Sequence, residues 1–94
     1  KASLGAQDVV RLADLPPYTR LTIKTRRTEY AVVVVAPLGG ELLLQGGERF
    51  PEPVAAHLEG EPEIAVGRRA TLRCEQRRVT TSTVSSILVH PTTD

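Results

Sequence analysis

The chain has 94 residues and a mass of 10.2 kDa, enough for one core and no more, since a chain of this size buries roughly 60–65% of its unfolded surface. Apolar residues at 40% and charged residues at 24% are those of an ordinary globular protein, but aromatic residues make up only 3%, so base-stacking platforms and aromatic ligand cages are poorly supplied. A formal net charge of +1 excludes an overall field drawing the protein onto nucleic acid or an anionic membrane; an electrostatic partner must meet a local patch.

Asp8 is placed to cap a short helix over 8–14, because its carboxylate can accept an orphan backbone N–H and Val9, Leu12 and Ala13 then share one stripe. Pro16 and Pro17 end it. The segment 19–25 (TRLTIKT) alternates Leu21 and Ile23 against Arg20, Thr22 and Lys24, the period of a half-buried strand. A tight connection at 26–28 returns the chain into a second strand over 29–36. That strand contains YAVVVVA (30–36), which does not alternate with polar residues and so demands cover on both faces. A sheet interior takes Val32 and Val34 or Val33 and Val35, not both pairs. Val33 and Val35 are therefore expected under the 8–14 helix or against a second molecule.

Pro37, Gly39 and Gly40 supply the next turn, and 41–45 (ELLLQ) is the third strand. The connection 46–63 is long for so small a chain, and loops beyond about 12–15 residues usually carry function. Pro51 and Pro53 stiffen it, and 53–58 (PVAAHL) can form one or two helical turns. A fourth strand over 69–75 alternates Ala70, Leu72 and Cys74 against Thr71, Arg73 and Glu75; a fifth covers 79–89, and 90–94 is expected to fray. These elements make an all-β domain spanning 1–94: a five-stranded antiparallel, partly open barrel of SH3 or Sm-like type with a short N-terminal helix.

The segments RLADLPPYTRLTIKT (11–25), TRRTEY (25–30), LLLQGGERFPEP (42–53) and RRVTTSTVSSI (77–87) together resemble a set of small uncharacterised bacterial proteins. The resemblance implies a bacterial origin and an all-β fold and transfers no site residue. The helix-then-five-strands order is also similar to Sm-like proteins, which bind RNA as rings. Their paired sequence motifs are absent, so that analogy stops at the fold.

No catalytic, metal-binding or nucleotide-binding signature stands in the chain, and no enzymatic activity or cofactor is expected. Cys74 shares its strand face with Ala70 and Leu72, which reads as a buried structural thiol. His57 and His90 lie in no chelating or nucleophile-activating pattern. One cysteine and no apolar run of roughly 18 residues lead to the expectation of a cytoplasmic protein without membrane contact. Arg26, Arg27, Arg68 and Arg69 are expected at one end, beside a loop bearing Glu48, Glu52, Glu59, Glu61 and Glu63 that neutralises much of their charge. Arg77 and Arg78 are expected at a solvated hairpin tip beside Glu75. Phe50 is expected to plug one end of the barrel or to anchor a protein partner. The reading that follows is a non-catalytic binding or assembly module, a homo-oligomer or protein binder, acting through Val33 and Val35 or through the connection around Phe50. The alternative is a nucleic-acid-binding barrel using Arg26, Arg27, Arg68 and Arg69.

Overall fold

Where the chain alternates, the burial alternates with it. In the computed structural model, which describes residues 5–60 and 62–90, strand β3 (Arg20–Thr25) buries Leu21 and Ile23 and exposes Arg20 and Lys24. Strand β4 (Glu29–Ala36) carries the valine run: Val32 and Val34 are in the core, Val33 is half-buried and Val35 is exposed. Strand β5 (Glu41–Gly46) buries Leu42 and Leu44. The fold is all-β, as expected, but the strands are more numerous than five and the N-terminal helix is absent.

The stretch 8–14 expected as a helix is instead β2 (Val9–Arg11) and a single 3-10 turn at Leu12–Asp14, with β1 (Gly5–Gln7) just before it. Seven residues stopped by two prolines cannot sustain an isolated helix, because nucleation outweighs so few hydrogen bonds. Val9–Arg11 finds a partner instead in β7 (Glu63–Ala65), with Val10 buried opposite Ile64.

The connection 46–63 holds the longest strand, β6 (Phe50–Leu58), paired along β5 from Glu41↔His57 to Gly46↔Phe50. It also contains the start of β7, which opens at Glu63. Two prolines inside β6 hide it from a pattern reading, yet both fit. The Leu58 N–H donates toward β5 (Gly40 O, 3.0 Å) and the Glu59 N–H away from it (Thr71 O, 3.0 Å), so odd-numbered amides face away from β5. Pro53 occupies one of these outward positions, where a missing N–H costs no ladder bond.

The strand expected over 69–75 is β8 (Thr71–Cys74), and that over 79–89 divides into β9 (Arg77–Thr80) and β10 (Val84–Val89). Arg77 and Arg78, both exposed, open β9 directly after the two-residue turn at Glu75 and Gln76. The main sheet is antiparallel, eight strands in the order β1-β10-β3-β4-β5-β6-β8-β9, and β2 pairs with β7 as a separate ribbon. β9 and β10 stand six positions apart in that order, about 29 Å across a flat sheet at 4.7–4.9 Å per strand. The link between them, residues 81–83, spans at most about 14 Å. The sheet must curl, and its concave face encloses one core drawn from every strand except the short β1. It stays open because β1 and β9 do not pair, and its eight strands replace the five of the expected partly open barrel.

Gly46 marks the tightest approach between β4 and β5: a Cβ there would meet the backbone of Glu29 and lie 2.9 Å from the Tyr30 ring. Among the described residues no helix is long and apolar enough to cross a membrane.

Candidate anion-binding site

Three connecting segments meet where the curled sheet brings β3, β8 and β10 together. The β3–β4 turn is set by Thr25, whose Oγ1 accepts the N–H groups of Arg27 (3.3 Å) and Thr28 (3.0 Å) while its own N–H donates to the Thr28 carbonyl (2.8 Å). This holds Arg26 and Arg27 at the tip. The Arg26 N–H donates to the Thr83 carbonyl (3.2 Å), tying the turn to the β9–β10 link. That link is in turn laced to the segment before β8: the Val84 N–H donates to the Arg68 carbonyl (2.8 Å) and the Thr81 N–H to the Ala70 carbonyl (2.9 Å). Thr81 Oγ1, almost fully buried, accepts the Ala70 N–H (3.0 Å) and donates to the Ser82 carbonyl (2.8 Å).

The result is a cleft of about 520 Å³ lined by Arg26, Arg27 and Arg69 and by the run Thr80, Thr81, Ser82 and Thr83. Among the described residues no acidic side chain lines it. The expected neutralisation by nearby glutamates is not what the fold delivers. Of the four arginines, only Arg68 meets a carboxylate, Glu63 at 4.0 Å, and Glu63 is shared with Arg11 at 3.2 Å. Glu59 pairs instead with Arg73 (3.0 Å) and Arg78 (2.8 Å), and Glu29 with Lys24 (3.7 Å). Among the described residues no ion pair reaches Arg26, Arg27 or Arg69; Glu61 lies outside the described residues. The hydroxyls of Ser82 and Thr83 are likewise uncommitted among the described residues. Guanidinium forks beside free hydroxyl donors form a surface that can grip an anionic oxygen by charge-assisted hydrogen bonds. Arg69 and the arginine pair were visible as candidates in the chain. The hydroxyl wall was not, because its residues read as strand; the signal was the unbroken Thr-Thr-Ser-Thr run, whose side chains compete with a ladder for backbone groups.

The other candidates lie elsewhere. Val33, half-buried, stands in a row across the outer face, Arg20↔Val33↔Leu43↔Ala55. Val35 sits where the β4–β5 ladder shifts register, and Val35 and Leu43 are each 37% exposed beside a shallow cleft of about 330 Å³ that reaches His57. Phe50 is buried in the core, so its ring is not exposed. Cys74 is buried, and desolvation, helped by the Glu75 charge, pushes its thiol pKa above the ordinary range, opposite to what a nucleophile needs. His57 is exposed on β6, and His90 Nε2 lies 2.6 Å from Thr22 Oγ1. No group of three metal-ligating side chains forms among the described residues.

No family model, curated protein or solved structure matches the chain.

Proposed function

We propose that this protein is a non-catalytic binding module whose Arg26, Arg27 and Arg69 cleft docks a phosphate-bearing partner, a nucleic-acid backbone being the partner with the most such groups in a row. One observation carries the reading: Arg26, Arg27 and Arg69 line one cleft together with four hydroxyl-bearing residues, and no acidic residue lines it among the described residues. With almost no aromatic surface at hand, recognition rests on the backbone of such a partner and not on its bases. Three phosphate contacts to a single strand give a log–log salt slope of about −2. The test is fluorescence anisotropy of a labelled single-stranded oligonucleotide at low salt. Saturable binding with that slope, weakened in Arg26→Gln and Arg69→Gln, supports the reading; absence of binding at low salt ends it.

A second reading, assembly of copies or docking of a protein on the outer face, is favoured by the exposed Val35 and Leu43 beside Val33 and Ala55 in that row. Sedimentation velocity decides it: a concentration-dependent dimer abolished by Leu43→Lys supports it, and a strict monomer at high concentration removes self-association.

A further inference from the structure

Beyond its single ladder to β5, most of β6 has no second neighbour among the described residues: it pairs with β8 only at His57↔Arg73 and Leu58↔Leu72. The β8–β9 hairpin splays away, leaving a cleft of about 400 Å³ between it and the β5–β6 turn that shares no lining residue with the arginine cleft. Its volume falls in the lower part of the range for small-molecule pockets, roughly 300–1,000 Å³. The floor is apolar, with Phe50, Val54, Cys74 and Val79, and the lip carries Arg49 and Arg77, both exposed and both outside every ion pair of the described residues.

Two features narrow the occupant. Pro53 faces the open edge of β6 without an N–H to offer, which disfavours a peptide adding as a strand. The charge of the lining comes next: Arg49, Arg77 and Arg78 stand against Glu75, and Glu59 divides its one charge between Arg78 and Arg73, so the lining is net positive and suits an anion. We propose that this cleft binds a small apolar carboxylate, its tail against Phe50 and Val54 and its carboxylate between Arg49 and Arg77, where a guanidinium fork meets carboxylate geometry.

The experiment is titration of the ¹⁵N-labelled protein with decanoate, followed through the amide signals of Val54, Cys74 and Arg77. Saturable shifts confined to these signals are expected, with Kd raised about tenfold by Arg49→Gln or Arg77→Gln and unchanged by Arg69→Gln, as fits loss of one charge-assisted hydrogen bond. Both arginines are exposed, and the unperturbed remainder of each spectrum confirms that the variants fold. No shift at millimolar decanoate, equal binding of uncharged decanol, or equal competition by acetate overturns the proposal. Because Arg69→Gln tests the other cleft, the two sites fail independently.

Discussion

Thr81 and Ala70 hold each other by two hydrogen bonds, one from the Thr81 N–H to the Ala70 carbonyl (2.9 Å) and one from the Ala70 N–H to Thr81 Oγ1 (3.0 Å). The pair pins the β9–β10 link against the segment carrying Arg69, so the side chain that interrupts the strand pattern also builds the wall of the arginine cleft. Thr81→Val keeps the shape but leaves the buried Ala70 N–H without an acceptor. A loss of about 1–3 kcal/mol in urea unfolding is expected, against less than about 0.5 kcal/mol for Thr80→Val, whose hydroxyl is exposed.

Gly46 is required by space. An added methyl would press on the backbone of Glu29 and on Tyr30 across the β4–β5 ladder, and backbone on the facing strand cannot swing aside as a side-chain tip can. Gly46→Ala is expected to destabilise by about 1–3 kcal/mol, read as a lower denaturant midpoint, whereas Gly39→Ala, with open space around it, leaves the midpoint nearly unchanged.

Glu59 supplies a pH dependence with a definite sign. The hydrogen bond from Arg73, then that from Arg78, hold its carboxyl below the ordinary glutamate range, with partial burial opposing them. A folded pKa below the unfolded one means the contribution is fully present above about pH 4.3 and disappears as the pH falls through the folded value. The stability difference between wild type and Glu59→Gln, measured by chemical denaturation, should therefore be present at pH 7 and vanish in strong acid. A difference that grows on acidification would contradict this assignment.

The two-residue β8–β9 connection places Glu75 (φ 47°) and Gln76 (φ 70°) both in the left-handed region, the conformation of hairpin turns that ordinarily take Asn-Gly. Side chains there carry strain of about 1–2 kcal/mol per residue. Gln76→Gly, which relieves it at one position, is expected to raise stability by about 1 kcal/mol, or Tm by about 4–8 °C for a domain of this size, in a thermal melt.

Much of the sheet was legible because its signal is local. Leu21 and Ile23, Leu42 and Leu44, and Leu72 and Cys74 all point inward as their alternation implies. The valine run was informative too: Val32 and Val34 lie in the core, and Val33 and Val35 are left on the outer face without the expected helix above them. β6 was illegible because proline argues against a strand unless the edge it faces is known, and that edge is set by where β8 departs. β2 was illegible because its partner at Glu63–Ala65 lies some fifty residues away along the chain.

What the amino-acid order determined by itself is the β class and the inward faces of the alternating strands, consequences of side-chain period. Tertiary structure alone decided which charges neutralise one another. Ion pairing acts over a few ångströms, and the curl of the sheet sends Glu59 to Arg73 and Arg78 and Glu63 to Arg11 and Arg68. Arg26, Arg27 and Arg69 are left facing hydroxyls because a three-residue link cannot cross a flat sheet, and closing that distance brings their loops together.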